Sequence, residues 1–589
     1  MSKILFVAVN ACYNHTNIAI RSLALYSNHP ELTGIGEWTI NQPVGEILRG
    51  IASKNPELVL FSTYIWNIEI VQKLIIELKK ILPECIIGAG GPEVSYYAEG
   101  YLKKIDSLDF VVCGEGEETI RELTDLFAKE KTTTFLEKAE KVPGLFLKVS
   151  QFKDVEGKAE VIYTGNRELL CDLSKLPFPY PEITDPDNRI YYYESLRGCP
   201  FSCAYCMSSL DKKVRFMPLE RVFADIQRFL DAKVRLVKFV DRTFNLNSDR
   251  YIEIWKYIVQ HHNRKTMFHF EIEAEFLDEK ALEFLQTVPR GVMQFEIGVQ
   301  STNKKTLEAV GRSANTEKLF ENIRRIPETI HSHLDLIAGL PYENLESFGR
   351  SFEDVISLYP DALQLGFLKV LHGTTMEKYS EENGWKWMEN PPYETLSTPY
   401  MSYADLMYLK DVEVITDVYW NSNAYEKCMK YAGRTCGFWK FITAMTDYCR
   451  SSGAFDAPRR DTYWLELVAS LSKSGRLGEL LGGKECFDSE IFYELLRFDY
   501  MAGEKRTRIP EWFNRHYDKD LHKKALQENG GINNARLDYA YSDVDSFSVN
   551  PFEENLENAK GEFNILFIYE RKEKFAMSTK NNCTRQILL

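Results

Sequence analysis

One tight cluster of cysteines stands out in a chain of 589 residues: Cys199, Cys203 and Cys206, in the run Arg197-Gly198-Cys199-Pro200-Phe201-Ser202-Cys203-Ala204-Tyr205-Cys206. The Cys-x3-Cys-x2-Cys spacing lets one short loop bring three thiolates around a cuboidal iron–sulfur cluster, which takes soft sulfur ligands and ordinarily four of them. Three ligands leave one iron open to chemistry. The competing readings are a structural zinc site and three unrelated thiols. Structural zinc prefers four closed ligands, commonly in Cys-x2-Cys pairs, and no fourth partner is obvious nearby. The other cysteines of the chain's 12 are scattered, unlike the dense pattern of a small disulfide scaffold. Cys428, Cys436, Cys449 and Cys486 follow at long, irregular gaps and read as free buried thiols.

Further polar residues gather where apolar runs end. Val240-Asp241-Arg242-Thr243-Phe244-Asn245 follows one run, Glu271 and Glu273 close the next, and Glu296 and Gln300 the one after. Carboxylates and amides in such places accept hydrogen bonds from a ribose or an ammonium group; a solvated or salt-bridged strand end is the plain alternative. Leu336-Ile337-Ala338-Gly339-Leu340-Pro341 reads by itself as a strand ending in a turn. Nearer the start, Ser62-Thr63-Tyr64-Ile65-Trp66-Asn67, Gly90-Gly91-Pro92-Glu93 and Cys113-Gly114-Glu115-Gly116 each lie between a strand and a helix. Paired glycines permit positive φ and close backbone approach, which suits a flat or bulky ligand at a sheet's edge. Neither Gly-x-Gly-x-x-Gly nor a phosphate-loop Gly-Lys-Ser/Thr occurs there, so nucleotide readings lose ground.

The elements that must carry these residues are α/β. Over residues 1–145, strands at Ile4–Val9, Leu58–Thr63, Cys85–Ala89 and Phe110–Cys113 alternate with helices. One of these helices is capped by Asn67 and patterned by Val71, Leu74, Ile75, Leu78 and Leu82. The alternation predicts a doubly wound, flavodoxin-like parallel sheet with ligand at the strands' carboxyl ends. Residues 146–188 read as a hairpin, turning near Glu156-Gly157, and a Pro-rich linker through Pro177, Pro179 and Pro181. Residues 189–390 hold six βα units, with strands at Ile190–Leu196, Leu236–Val240, Met267–Glu273, Met293–Val299, Leu334–Ala338 and Ala362–Leu368. They predict a partial (β/α)6 barrel with its active residues at the carboxyl ends. Residues 391–589 read as a mostly helical domain that caps the mouth and shapes substrate choice, with one strand at Asn564–Tyr569. His372-Gly373-Thr374 is either a substrate-side element or a plain glycine turn.

A net charge of −14 argues against a broad nucleic-acid footprint, and no apolar run approaches the ~20 residues of a membrane span. A cytoplasmic place follows from the weak case for a signal peptide.

The cysteine segment, with aromatic Tyr205 before the last cysteine, resembles the signature of the radical S-adenosylmethionine superfamily. The resemblance implies a 4Fe–4S cluster on Cys199, Cys203 and Cys206, with S-adenosylmethionine chelating the open iron and yielding a 5′-deoxyadenosyl radical. Asp241, Arg242 and Asn245 resemble the second-strand element of cobalamin-dependent members. With Tyr205, Glu271, Glu273, Glu296, Gln300 and Gly339 they make up the implied S-adenosylmethionine contacts. The first-domain loops resemble the cobalamin-binding domain that precedes many such enzymes, implying contacts from Tyr64, Trp66, Gly90, Gly91, Glu93, Gly114, Glu115 and Gly116. The Asp-x-His-x-x-Gly element of other cobalamin proteins is missing, and His15 is read as a loop histidine rather than a cobalt ligand. Together the likeness implies an oxygen-sensitive, cobalamin-dependent methyltransferase acting on an unactivated carbon. Its substrate would be a small molecule or peptide-derived, and its electrons would come from a donor such as flavodoxin or ferredoxin. The alternatives are a cobalamin-dependent radical cyclase or ring-rearranging enzyme, and a non-catalytic redox-sensing module. The residues single out no catalytic acid or base.

Overall fold

A computed structural model describes residues 3–130, 132–153, 159–456, 460–503, 505, 508–529, 539–553, 560–569 and 583–589. The first sheet contains β1 (Ile4–Asn10), β2 (Thr33–Thr39), β3 (Leu58–Ser62), β4 (Ile86–Gly90), β5 (Phe110–Val112), β6 (Leu145–Lys153) and β7 (Ala159–Tyr163). Their order is β2-β1-β3-β4-β5-β6-β7, with β1 to β5 parallel and the last two antiparallel. The order 2-1-3-4-5 is that of a flavodoxin-like sheet, with its switch point between β1 and β3. Strand β1 shows why the run is apolar throughout: Ile4, Phe6 and Ala8 join one core, while Leu5, Val7 and Val9 join the core on the other face.

Two expectations change here. The hairpin set apart at 146–188 hangs on β5 and extends the first sheet to Tyr163; its turn at Glu156-Gly157 lies outside the described residues. Asn67 makes no side-chain cap for the helix Ile68–Ile81. Its amide instead donates to Val9 O and Ser62 O, each at 3.0 Å, and accepts from Tyr64 N at 2.8 Å. One buried amide thus ties β1 to β3 across the switch point.

The second sheet begins with β8 (Ile190–Tyr193). A short antiparallel pair, β9 (Leu196–Arg197) and β10 (Arg215–Phe216), brackets the cysteine loop. Strands β11 (Leu236–Phe239), β12 (Met267–Ile272), β13 (Met293–Gln300), β14 (His331–Ala338) and β15 (Ala362–Phe367) follow. The order β15-β14-β13-β12-β11-β8, parallel throughout, is an open six-stranded barrel. Phe268, Phe270, Phe295, Ile297, Leu334 and Leu336 face the helices in the main core. The alternate positions His269, Glu271, Gln294, Glu296, His333 and Asp335 line the other face.

Beyond the pair β16 (Lys386–Trp387) and β17 (Thr395–Ser397), helices dominate from Tyr403 to Gly503. Leu406, Leu409, Val412 and Ile415 of the helix Tyr403–Thr416 join the core beneath Leu363 and Leu365 of β15. The helical region therefore packs on the barrel's flank, where the sequence suggests a cap. The single expected strand at 564–569 belongs to a three-stranded antiparallel sheet of β18 (Ser542–Val549), β19 (Lys560–Tyr569) and β20 (Cys583–Leu588). Phe498 and Met501 of the helix Ser489–Gly503 pack against Phe547 and Phe567 of that sheet.

Candidate active site

The cysteine loop is braced on two sides. Gly198 holds φ 84°, and a Cβ there would meet Lys213 O at 2.4 Å, so the loop leaves β9 only through glycine. Cys199 N donates to Asp211 O at 2.9 Å, Ala204 N to Val310 O at 2.9 Å, and Met376 N to Ala204 O at 2.8 Å. Cys199 and Cys203 are buried and Cys206 is partly so, and all three are free of disulfides. Burial pushes the Cys203 thiol up, and the Arg312 guanidinium 3.8 Å from its sulfur works in the opposite direction. Tyr205 packs with Ala204, Leu340, Met376, Tyr379 and Trp385 in an apolar wall beside the loop.

The acidic residues suggested by sequence divide into two groups. Asp241 is 1 % exposed, and its carboxylate accepts from Ser195 N at 2.7 Å, Ser195 Oγ at 2.5 Å and Leu196 N at 3.1 Å. Asn245 exchanges two bonds with the Glu273 backbone, at 2.8 and 2.9 Å. Both polar groups are committed inside the protein; they fix strand ends rather than face a ligand. Gly339 holds φ 88°, and a Cβ there would lie in ordinary contact with Leu406, Leu368 and Thr395, so protein side chains line that side.

The others face the mouth. Arg242, 58 % exposed, reaches Glu271 at 3.4 Å, and Arg312 holds Glu273 at 2.7 Å. Burial raises both glutamates, and the two arginines oppose the shift. Glu296 lies 3.0 Å from His269 Nε2, and the nearness of that imidazole lowers its carboxyl. Gln300 sits at a bulge with φ 70°, its amide folded back over Gly298 and its Oε1 buried without a partner. Asp335, opposite Gly298 on β14, has a buried, unpartnered Oδ1, and burial pushes its carboxyl up to about 8. Two orphaned acceptors on neighbouring strands call for donors from a ligand. Neither Asp335 nor Arg312 belongs to the motifs of the sequence. Period-2 alternation through Leu334-Asp335-Leu336 is the available signal for Asp335; Arg312 has none.

At the first domain's strand ends, Tyr64 and Trp66 stack at 4.3 Å and 9°, with Trp66 46 % exposed at the switch point. Gly91 takes φ 115°, where a Cβ would meet Thr63 O at 2.4 Å, and Gly114 at φ 71° has nothing within 4 Å. Gly90 ends β4 beside them. Three other expected contacts are engaged within the protein. Glu93 accepts from Tyr101 Oη at 2.6 Å and from Tyr393 Oη; Glu115 pairs with Arg215 at 2.8 Å; Gly116 packs on Leu23.

These carboxylates join the two α/β units. Arg197, next to the cysteines, holds Glu117 at 2.6 Å. His15 Nδ1 lies 2.6 Å from Tyr192 Oη on β8, and His372 stacks on Tyr97 at 4.8 Å. His15 and the His372 turn are thus domain-joining elements. Burial raises the Tyr64 phenol, opposed first by a hydrogen bond with Ser62 and then by the charge of Arg242. The switch point and the barrel mouth are therefore electrostatic neighbours.

Comparison with known proteins agrees with this geometry. A family model described as B12 binding domain matches residues 6–124, and one described as Radical SAM superfamily matches residues 193–355. The chain thus joins a B12 binding domain to a radical S-adenosylmethionine domain. A third model, described as Protein of unknown function (DUF4080), matches residues 381–572. The chain is similar to the cobalamin-dependent radical SAM methyltransferase TokK of Streptomyces tokunonensis, 27 % identical over 52 % of this chain and 45 % of TokK. It is also similar to the uncharacterized methyltransferase PH0819 of Pyrococcus horikoshii, 24 % identical over 52 % of this chain and 65 % of that protein. The chain thus spans between 45 % and 65 % of the length of these two relatives. Among solved structures it resembles the radical S-adenosylmethionine methyltransferase TsrM of Kitasatospora setae. The TM-score is 0.53 at 14 % identity, covering 66 % of this chain and 79 % of TsrM, which is a likeness of fold.

The cofactors of this protein are a 4Fe–4S cluster, S-adenosylmethionine and cobalamin, and the residues present fit them. Three clustered thiols beside a guanidinium suit an anionic thiolate-ligated cluster. Among the described residues no three His, Cys, Asp or Glu side chains converge on a single-ion site. Thiolates that each take a different iron of a cube need not converge on one point. The orphaned Gln300 and Asp335 oxygens suit a ligand rich in hydroxyl and ammonium donors. An exposed aromatic stack at the switch point, with positive-φ Gly91 and Gly114 at the ends of the next strands, suits a broad planar ring system. Among the described residues no helix is long and apolar enough to cross a membrane.

Proposed function

We propose that this protein is a methyltransferase that acts on an unactivated carbon of a small or peptide-derived substrate. The observation that carries this reading is the meeting of two strand-end faces, with Arg197 beside the cysteines bound to Glu117 of the first domain at 2.6 Å. In this reading Cys199, Cys203 and Cys206 hold the cluster. Tyr205, Arg242, Glu271, Glu273, Glu296, Gln300 and Asp335 surround S-adenosylmethionine, and Tyr64, Trp66, Gly90, Gly91 and Gly114 lie against cobalamin. When bound, these groups supply one-electron cleavage of a sulfonium and a methyl carrier.

The protein's own residues bind, orient and exclude water. Asp241 and Gly198 fix the entry to the cysteine loop, and Asn245 fixes the end of β12 so that Glu271 and Glu273 face the mouth. Glu271 and Glu273, whose own cations Arg242 and Arg312 are already in place, and the unpaired Asp335 offer carboxylates to a cationic ligand. Tyr205, Tyr379 and Trp385 keep water from one side of the loop. The electron comes from outside, from a donor such as flavodoxin or ferredoxin, and the cytoplasm is the setting.

The test is anaerobic reconstitution with both cofactors, a low-potential reductant, candidate substrates and S-adenosylmethionine labelled in its methyl group. The expected products are 5′-deoxyadenosine, S-adenosylhomocysteine and labelled substrate, all lost in Cys203→Ala. Turnover giving 5′-deoxyadenosine and an unlabelled, rearranged product would overturn methyl transfer.

A further inference from the structure

Arg312 belongs to none of the motifs, yet its guanidinium lies between the cysteine loop and the acidic mouth. Nη1 points at Cys203 Sγ from 3.8 Å, while Nη2 donates to Glu273 Oε2 and to Gly298 O, each at 2.7 Å. The seat is built rather than incidental. Gly311 holds φ 71°, and a Cβ there would meet Ser202 O at 2.8 Å, so glycine is what lets this segment press on the loop between Cys199 and Cys203. Arg312 N donates to Leu307 O at 2.9 Å, and Ala204 N donates to Val310 O at 2.9 Å, clamping the two segments together. The Arg312 side chain is 16 % exposed and that of Glu273 18 %, so solvent screens neither strongly.

A cluster on three thiolates gains one negative charge when it accepts an electron. A fixed cation at one of its sulfurs favours the reduced state, and a fixed anion nearby favours the oxidised state. Hydrogen bonds to the sulfurs, net charge and exposure are the levers by which proteins set such potentials. We propose that Arg312 and Glu273 form an opposed pair that sets the reduction potential of the cluster, Arg312 raising it and Glu273 holding it back. The inference rests on the assignment of Cys199, Cys203 and Cys206 to the cluster. The step concerned is the uptake of one electron from an external low-potential donor, with no bond made or broken and no proton moved. Arg312 is a positioning residue in this role: it acts through Cys203.

The test is an electron-paramagnetic-resonance redox titration of the full-length, anaerobically reconstituted protein, with dithionite and mediators and without S-adenosylmethionine. Leaving that ligand out separates the potential from any contact Arg312 makes with it. Arg312→Gln is expected to shift the reduction equilibrium against the reduced cluster about tenfold, which is ~59 mV more negative for one electron. Glu273→Gln is expected to shift it in the positive direction, and Arg312→Lys to stay near wild type. Iron and sulfide content are measured on every variant. If Arg312→Gln holds less than the wild-type content, Glu273→Gln decides the matter by the sign of its shift, a positive shift supporting the pair and none or a negative one overturning it. Unchanged potentials, or Arg312→Gln and Glu273→Gln moving in the same direction, overturn the pair's role. A wild type that takes up no iron overturns the cysteine assignment itself, and the tuning with it.

Discussion

Asp241 is where a ligand role and a framework role part most cleanly, because two substitutions there have different consequences under each. Its carboxylate is buried and accepts two backbone N–H groups and one hydroxyl from Ser195 and Leu196. Burial pushes the acid up to about 7, with the three donors opposing the shift. In Asp241→Asn the amide oxygen keeps both N–H donors, and the new N–H donates to Ser195 Oγ. The change replaces charge-assisted bonds with neutral ones, at about 0.5–1.5 kcal/mol. In Asp241→Ala two backbone N–H groups and a hydroxyl are stranded, at about 1–3 kcal/mol for each unsatisfied group, so ~3–9 kcal/mol falls on the residues that lead into Cys199. A chain of several domains does not unfold in two states, so the local readouts are iron content after reconstitution and S-adenosylmethionine affinity. Asp241→Asn is expected to keep both within a few-fold, and Asp241→Ala to lose iron. If Asp241→Asn holds its full cluster yet fails to bind S-adenosylmethionine, the carboxylate faces the ligand and the framework role is refuted.

Two more outcomes follow from the same contacts. Burial raises the Asp335 carboxyl to about 8, so in the ligand-free protein it keeps its proton below that pH; a sulfonium- and ammonium-bearing ligand favours the ionised form. S-adenosylmethionine affinity is therefore expected to rise with pH up to about 8 and then level, with proton release in calorimetry. Asp335→Asn should flatten the profile, and equal slopes in both proteins would count against this. Tyr393→Phe removes a phenol bonded to the buried Glu93 carboxylate across the domain junction, which costs about 1–3 kcal/mol. Faster hydrogen exchange over 93–101 and 390–394 is the expected sign, and unchanged protection would refute the latch.

The cysteine loop and the barrel are legible in the sequence because their signals are local: a fixed spacing, and six apolar runs that each open a βα unit. Strand β2 is not, since Thr33-Gly-Ile-Gly-Glu-Trp-Thr buries only Gly36 and carries two residues of poor strand propensity. The C-terminal sheet is masked because β18 is rich in serine and aspartate; Asp543 and Asp545 are buried there against Arg515 and Arg497, partners far off in sequence. Site residues escape for the same reason. Asp241, Glu93 and Glu115 sit where a motif places ligand contacts, but whether a carboxylate meets a ligand or a neighbour depends on Ser195, Tyr393 and Arg215, which spacing does not bring together.

That pattern bears on how the two strand-end faces keep their relation. The residues that cross between them are largely polar: Arg197 with Glu117, Arg215 with Glu115, Tyr393 with Glu93, and Thr16 with Tyr180 at 3.1 Å. Pairs of this kind add little net adhesion, because desolvation offsets most of their attraction. Breaking either of the two ion pairs is another matter, since it leaves a buried charge uncompensated at about 3–5 kcal/mol. An apolar junction tolerates sliding; a junction of paired charges has one register in which every group is satisfied. Tyr180 extends the same logic into the Pro-rich segment, donating to Tyr192 O at 2.9 Å while Arg21 covers its ring at 5.6 Å, so that segment acts as a strut rather than a loose tether. In a protein whose chemistry needs two cofactors at one mouth, the relative placement of the faces has to be specified, and these pairs specify it at the places where the cysteine loop and the glycine-rich loops begin.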